Sequence, residues 1–272
     1  MSKFVMIMSQ KGGVGKTFTC RLLTQVWEES GKEFVLIDAD HRVKATAETF
    51  PDKAIAFNLT DQDERIRLLD MATAQSEKDF IVDFPGGSID EIVNLINGSS
   101  AKGLFFEALR NAGFEIVMVA PFTKRLSSIM KLKDLEAAFG DQVAFFFVKN
   151  MMGITLKNAS DEQAKYNTTF GSFEWTIKDV EKNPVLKDFN PREFAIEKMG
   201  LNETDLDDKG TTPNCIRLPE MPDLLDAWVD DYTPFSDASF KAFPFLQSAT
   251  AREYFNDIKG RILKTDLFKS EE

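Results

Sequence analysis

The sequence predicts an α/β fold with a doubly wound, mainly parallel β-sheet flanked by helices. Apolar runs alternate along the chain with longer amphipathic segments, which is typical of a parallel sheet covered by helices. Most runs are almost continuously apolar, as strands buried on both faces should be. A glycine-rich stretch joins the first run directly to the first amphipathic segment. The predicted strands are residues 3–9, 33–39, 79–84, 114–121, 142–150 and 214–219.

Two amphipathic segments predict helices. Residues 17–32 follow the glycine-rich stretch, and Gly31 lies just past the last turn, where helices commonly end. Residues 123–140 form the second segment, which also closes on a glycine. The apolar face of the first predicted helix consists of Leu22, Leu23, Val26 and Trp27.

The chain length suits one large α/β domain. A chain of 272 residues buries roughly 75% of the surface that its unfolded form exposes, so it needs no disulfide or metal for a stable core. Residues 153–213 break the alternation, because they are polar and contain only short helical patterns. We expect a single domain over 1–272, in which 153–213 is an elaboration. That segment is either a subdomain, a partner-binding surface or a long helical crossover.

Composition excludes several classes of protein. The net charge of −11 argues against a surface that binds nucleic acid everywhere, although a local basic patch could still do so. The single histidine excludes a Ser-His-Asp triad and a histidine-rich metal site. The two cysteines form no CxxC motif and fit a reducing compartment, so we expect a cytoplasmic protein. One candidate DNA-facing patch, for which a solvated helix face is the favoured interpretation, consists of Lys124, Arg125, Lys131 and Lys133.

The stretch GGVGKT (12–17) predicts a phosphate-binding loop, since it lies between an apolar strand and an amphipathic helix. Its glycines let successive N–H groups turn toward phosphate oxygens, and the helix N-terminus favours negative charge. Lys16 would reach the β- and γ-phosphates, and the Thr17 hydroxyl would bind Mg²⁺. ATP and Mg²⁺ are therefore the expected ligands. The nucleotide-binding residues predicted here are Gly12, Gly13, Val14, Gly15, Lys16, Thr17 and Phe18.

The loop departs from the common GxxxxGK[ST] pattern, because Gln10 stands where the first glycine belongs. The chain instead has KGGVGKT (11–17), a deviant Walker A motif, and so resembles the ParA/MinD group of P-loop ATPases. The resemblance implies that Lys11 reaches across a dimer interface to the nucleotide of the partner subunit. A second ammonium there would neutralise charge developing on the transferred phosphoryl group. We therefore expect Lys11 and Lys16 to be catalytic and the ATP state to be a homodimer.

The strand ending in DAD resembles the first switch of that family. The resemblance implies that Asp40 orients or activates the attacking water and that Asp38 lies near Mg²⁺ and Thr17. A helix-capping pair of aspartates is the alternative. Residues 41–44, His-Arg-Val-Lys, replace the Pro-Gln-Gly-Asn of many partition proteins. This difference argues against the standard partition subfamily and favours a divergent relative active in plasmid stability or conjugation.

Two further strand ends complete the resemblance. Asp83, in DFPGG, matches a Walker B aspartate that holds Mg²⁺ through water, and Gly86 follows as in the family's second switch. Asn150 matches the position from which family members contact adenine, with a strand cap as the alternative. It is not followed by the xD of a guanine-specific motif, which favours ATP over GTP. Pro219 is expected to border the adenine.

Residues 248–262 resemble the closing helix of these ATPases. Apolar residues at helical spacing favour packing on the core over anchoring at a membrane surface, which remains the alternative. The apolar residues at that spacing are Tyr254, Phe255, Ile258 and Ile262.

The combined motifs predict a slow ATPase that acts as a dimerisation switch in partition or in positioning a cellular cargo. We expect a protein partner or adaptor, with nonspecific DNA as a possible matrix. One rival is a biosynthetic enzyme on the same fold, such as a dethiobiotin-synthetase-like or amide-forming enzyme, which needs a second substrate. The other rival is a scaffold that binds ATP and barely hydrolyses it.

Overall fold

The structure is a computed structural model. It describes residues 1–87, 104–123, 126–150, 213–219, 221–225 and 231–269, together with the single positions 90, 93, 94, 96, 197 and 228. Apart from Glu197 and Pro213, the elaboration predicted at 153–213 lies outside the described residues.

Seven strands of the described chain form one sheet in the order β3-β2-β4-β1-β5-β6-β7. Every pairing between neighbouring strands is parallel. The predicted doubly wound parallel sheet is therefore confirmed. The strands are β1 Ser2–Ile7, β2 Phe34–Asp38, β3 Ala54–Ala56, β4 Asp79–Asp83, β5 Phe114–Phe122, β6 Ala144–Asn150 and β7 Cys215–Leu218.

Helices cover both faces of the sheet. The helices are α1 Lys16–Glu29, α2 Ala45–Thr49, α3 Gln62–Ala74, α4 Leu104–Asn111, α5 Leu126–Phe139, α6 Asp237–Ala242 and α7 Phe245–Ile262. Residues of α1, α6 and α7 enter one hydrophobic core, whereas residues of α3, α4 and α5 enter the other.

The continuous apolar character of β1 follows from its position between these two cores. Successive side chains of a strand point to opposite faces of the sheet. Accordingly, Val5 and Ile7 pack with α1, while Phe4 and Met6 pack in the core on the other face. All four side chains are fully buried, so none of the positions from Phe4 to Ile7 of β1 faces water.

The six predicted strands are all present, with ends that differ by at most two residues. The seventh, β3, has only three residues (Ala54–Ala56) and lies at the sheet edge, where a short half-exposed strand leaves little apolar pattern. The second predicted helix begins at Leu126 in the structure. Lys124 and Arg125 of the candidate basic patch lie outside the described residues, Lys131 is exposed and Lys133 is half-buried.

The closing helix α7 begins three residues earlier than predicted and buries its apolar side in the core. This packing contradicts the alternative in which that side anchors to a membrane surface. The buried residues include Tyr254, Phe255, Ile258 and Ile262. No helix within the described ranges combines the length and apolarity needed to cross a bilayer.

The sheet order determines where a ligand can bind. The chain builds β2, β3 and β4 on one side of β1, then crosses over to build β5, β6 and β7 on the other. Ligands of open α/β sheets bind beyond the carboxyl ends of the strands at the point where this order reverses. The glycine-rich loop after β1 lies at that point.

Candidate functional site

The loop between β1 and α1 has the backbone of a phosphate-binding turn. Gly13 and Gly15 have φ of 72° and 93°, in the left-handed region that only glycine adopts without strain. Helix α1 starts at Lys16, and no side chain caps its first turn. The main-chain N–H groups of that turn therefore have no partner from a capping side chain, and they favour an anionic ligand.

Asn150, at the end of β6, holds this loop from the side. Its Nδ2 donates to the main-chain oxygen of Val14 at 2.9 Å, in a buried hydrogen bond. A Cβ added to Gly15 would lie 2.4 Å from the same Nδ2, so glycine is required where the two segments meet. Asn150 was predicted to contact adenine, and here it binds the phosphate loop.

Lys16 extends from the loop toward the segment after β4. A Cβ on Gly86 would lie 3.1 Å from the Lys16 ammonium nitrogen, so the ammonium lies against the main chain of Gly86. The Lys16 charge also lowers the pKa of Asp83. The two residues predicted for phosphate and metal binding therefore lie close together at adjacent strand ends.

Asp83 is a buried carboxylate at the end of β4. It is 2% exposed, and burial, opposed in part by its hydrogen bond from Thr46, raises its pKa to about 7. The nearby Asp38 raises the pKa further, and Lys16 and Thr17 lower it. Its Oδ2 accepts from the Thr46 hydroxyl at 2.7 Å, and its Oδ1 is buried with no hydrogen-bond partner among the residues that the structure describes. An unpartnered buried carboxylate oxygen is costly unless a ligand or water meets it.

Asp38, opposite Asp83 on the neighbouring strand β2, organises the loop that follows it. Its Oδ1 accepts from the Asp40 N–H at 3.0 Å, and its Oδ2 accepts from the Ala47 N–H at 2.8 Å. Burial raises the pKa of Asp38, and these N–H donors lower it. Asp38 thus lies beside Asp83, with both of its oxygens bound to main-chain donors.

Asp40 and Lys11, both predicted to be catalytic, lie at the more open part of the site. The Asp40 Oδ1 accepts from the N–H groups of Arg42 and Val43 at 3.2 and 3.3 Å. The Lys11 N–H donates to the Ser9 hydroxyl at 3.2 Å, and Lys11 as a whole is half-buried. Gly12 and Gly13 beside it are exposed.

Pro219, which was predicted to border the base, is hydrogen-bonded to helix α7, and Phe18 packs on the same face of the sheet. The Tyr254 hydroxyl of α7 donates to the main-chain oxygen of Pro219 at 3.0 Å. Phe18 of α1 packs edge-on against Phe235, with ring centroids 6.0 Å apart. Pro219 and Phe18, both predicted to bind nucleotide, are therefore held on the same face of the sheet as α1 and α7.

Arg21 and Thr46 were missed by the sequence reasoning. The buried Arg21 donates through Nη2 to the main-chain oxygens of Trp228 and Thr233, each at 2.5 Å. Burial lowers its pKa to about 10. Thr46 follows the DAD motif by only six residues. A threonine between two alanines nevertheless carries no motif that distinguishes a ligand-facing hydroxyl from a helix residue.

Comparison with known proteins identifies the family. The model of the CobQ/CobB/MinD/ParA nucleotide binding domain matches residues 5–216, which is well over half of the chain. No curated protein sequence matches the chain.

Several solved structures are similar to the chain, all at low identity. The septum site-determining protein MinD complexed with Mg-ADP from Pyrococcus horikoshii is 14% identical, with a TM-score of 0.47, covering 97% of this chain and 98% of that one. MinD in the MinC:MinD cell division protein complex from Aquifex aeolicus is 16% identical, with a TM-score of 0.45, covering 95% and 96%.

The chain spans about half the length of the FtsY structures that it matches. Chloroplast FtsY from Physcomitrella patens, for example, is 15% identical with a TM-score of 0.41, and the match covers 56% of this chain and 50% of that one. None of these structural likenesses bears on function. The family match does: the chain belongs to the CobQ/CobB/MinD/ParA family of nucleotide-binding domains.

Proposed function

We propose that the protein is a cytoplasmic ATPase of the ParA/MinD type, whose ATP-bound form is a homodimer and whose hydrolysis releases that dimer. One observation carries the proposal. The Lys16 ammonium, which follows β1, lies against the main chain of Gly86, three residues beyond Asp83 at the end of β4, and the buried Asp83 Oδ1 accepts no hydrogen bond within the described residues. A cation-binding hydroxyl, a phosphate-binding ammonium and a carboxylate at adjacent strand ends are the parts that phosphoryl transfer needs.

The residues fit a bound Mg²⁺. Mg²⁺ is usually held by one or two protein oxygens together with phosphate oxygens and water. Thr17 and Asp83 would supply those protein oxygens, because Thr17 is half-buried and the Asp83 Oδ1 accepts no hydrogen bond from the described part of the chain. When bound, Mg²⁺ neutralises charge on the phosphate oxygens. Asp38 supports the site through the 40–47 main chain, since both its oxygens are occupied by N–H donors.

The remaining site residues would bind the phosphates, orient the attacking water or border the base. The N–H groups of Gly12 to Phe18 would surround the phosphates, and Lys16 would bind the terminal ones. Asp40 would orient the attacking water with the oxygen that does not accept from Arg42 and Val43. Asn150 and Pro219 would border the adenine side of the nucleotide. Lys11 would reach the phosphates of the partner subunit's nucleotide.

Turnover should be slow, because the output of such a switch is its dimer state. We assign the protein to plasmid partition or stability, or to the positioning of another cellular cargo through a protein adaptor. Nonspecific DNA is the matrix to test first. In an electrophoretic assay with a random duplex, ATP-dependent binding should weaken steeply with salt, because phosphate contacts release counterions. Binding to anionic vesicles but not to DNA would overturn this part of the proposal.

The core of the proposal is tested with Lys16→Ala and Lys11→Ala, using Lys241→Ala on the exposed surface of α6 as the control. Phosphate release and ATP-dependent dimerisation, followed by light scattering, are measured for each purified variant. Lys16→Ala should lose ATP binding. Lys11→Ala should keep ATP binding and lose both dimerisation and hydrolysis. Lys241→Ala should behave like the wild type.

The same measurements separate the rival functions. If Lys11→Ala dimerises and hydrolyses ATP like the wild type, the role of Lys11 in the partner's site is wrong. Intact ATP after long incubation with the dimer would establish a nucleotide-bound scaffold instead. Turnover that begins only when a second small-molecule substrate is added would establish a biosynthetic enzyme.

A further inference from the structure

Thr46 joins two separate segments of the site through one buried hydrogen bond. It lies in the short helix α2, is 0% exposed, and donates from Oγ1 to Asp83 Oδ2 at 2.7 Å. The two residues are 37 positions apart in sequence. The bond therefore links the loop after β2 to the end of β4.

The position of the Thr46 hydroxyl is fixed by the loop that precedes it. The main-chain N–H of Ala47, the residue after Thr46, donates to the carboxylate of Asp38 at 2.8 Å. Lys44, with φ of 53°, takes the left-handed conformation at the start of α2. Its N–H donates to the main-chain oxygen of Asp40 at 3.0 Å. A non-glycine residue held in this conformation indicates a turn that the surrounding contacts impose. The turn places the hydroxyl within reach of Asp83.

Because of this bond, the two oxygens of the Asp83 carboxylate have different environments. Oδ2 is occupied by Thr46, whereas Oδ1 is buried and without a partner within the described part of the chain. A carboxylate with one oxygen fixed cannot rotate freely. The other oxygen, Oδ1, is then held in one orientation in which a ligand can bind it.

We propose that Thr46 is a positioning residue for Mg²⁺: its hydroxyl fixes Asp83 Oδ2 so that Oδ1 is presented to the metal and its water. This inference rests on the proposed nucleotide-binding function and assigns a task that the sequence motifs did not give to any residue. Groups that orient a metal-binding side chain affect metal affinity although they never touch the metal. Thr46 also makes the metal site sensitive to the conformation of the 38–47 loop.

The test compares Thr46→Val, which keeps the shape and removes the hydroxyl, with Thr46→Ser, which keeps the hydroxyl. Thr49→Val is the matched control, because the Thr49 hydroxyl is buried in the same helix but donates to the Ala45 main-chain oxygen at 2.9 Å. Calorimetry measures the affinity for ADP across a Mg²⁺ series and in EDTA. Circular dichroism melting accompanies each variant.

Thr46→Val should need about tenfold more Mg²⁺ for half-maximal strengthening of ADP binding, while its affinity in EDTA stays that of the wild type. Thr46→Ser should restore the wild-type Mg²⁺ dependence, and Thr49→Val should not change it. An unchanged Mg²⁺ dependence in Thr46→Val, or the same change in Thr49→Val, would overturn the role of Thr46. Failure of the wild type to bind ADP at all would overturn the proposed function itself. If Thr46→Val does not fold, Thr46→Ala takes its place. A wild-type Mg²⁺ dependence of ADP binding in Thr46→Ala would overturn the role of Thr46, whereas a tenfold higher Mg²⁺ requirement would support it.

Discussion

The side-chain amide of Asn150 donates to the main-chain oxygen of Val14 over 2.9 Å, and so connects the end of β6 to the middle of the phosphate loop. Asn150 is 5% exposed, and its Nδ2 lies directly over Gly15. A side chain in this place acts on the conformation of the loop whether or not it also touches a base.

Asn150→Ala should weaken binding of every ligand that uses the loop. The lost hydrogen bond leaves a buried carbonyl unpaired, which costs about 1–2 kcal/mol or roughly tenfold in affinity. We expect this loss for ATP and for inorganic tripolyphosphate alike, measured by calorimetry. Asn58→Ala, which removes an amide from an exposed turn, is the control. A loss for ATP with no loss for tripolyphosphate would instead mean that Asn150 acts through adenine alone.

The sequence predicts those parts of the site whose conformation is determined by residues close together in the chain. Glycines between an apolar strand and a helix have few uses other than a tight turn, and Gly13 and Gly15 do adopt left-handed conformations. The strand ends carrying Asp38 and Asp83 were also predicted, because continuous apolar runs give strands buried on both faces.

The contacts that were missed join residues remote in sequence. Arg21 meets the Trp228 main chain 207 positions away, and Thr46 meets Asp83 37 positions away. Neither contact could be predicted from the residue type, because buried arginines and threonines in helices have many possible partners. Only the packing of α1 and α2 against the rest of the chain selects them. The edge strand β3 was missed for the related reason that three residues carry no recognisable period.

Gly15→Ala should cost both stability and nucleotide binding. Alanine at φ of 93° is strained, and its Cβ would lie 2.4 Å from the Asn150 Nδ2. We expect a loss of about 2 kcal/mol in the free energy of unfolding by urea, since each effect costs roughly 1 kcal/mol or more.

Gly12→Ala provides the comparison within the same loop. A Cβ at Gly12 meets nothing within 4 Å, so this variant should unfold within about 0.5 kcal/mol of the wild type. Because the Gly15 clash is with Asn150, the double variant Gly15→Ala/Asn150→Ala should lose less than the sum of the single losses. Additive losses would show that the clash contributes nothing.

Arg21→Met should destabilise the protein and loosen the side of the site nearest Pro219. The substitution keeps much of the apolar stem but leaves the main-chain oxygens of Trp228 and Thr233 without their donor. One buried and one partly buried carbonyl left unpaired cost about 2–4 kcal/mol in the free energy of unfolding, measured in urea. Arg67→Met, at an exposed ion pair with Glu64, should change it by less than about 1 kcal/mol. Equal effects of the two variants would contradict the role assigned to Arg21.

Asp83 should make the ligand-free protein less stable as the pH rises. Its folded-state pKa of about 7 lies above the ordinary value of 3.8, so the folded protein retains a proton that the unfolded chain has already released. Stability is therefore highest below pH 4 as far as this group is concerned, and it falls as the pH rises toward the folded-state pKa. This direction is opposite to that of a carboxylate stabilised by an ion pair.

Asp83→Asn isolates this effect, because asparagine can still accept from the Thr46 hydroxyl but does not ionise. Between pH 5 and pH 8, without nucleotide or Mg²⁺, the wild type should lose about 2.5 kcal/mol more in the free energy of unfolding than Asp83→Asn. Urea unfolding at several pH values measures the difference. With Mg²⁺ and ADP present, the difference should shrink, because a cation at Oδ1 favours the ionised carboxylate. Parallel pH profiles of the two proteins in the ligand-free state would mean that Asp83 is ionised in the fold at pH 5, and that burial does not control its charge.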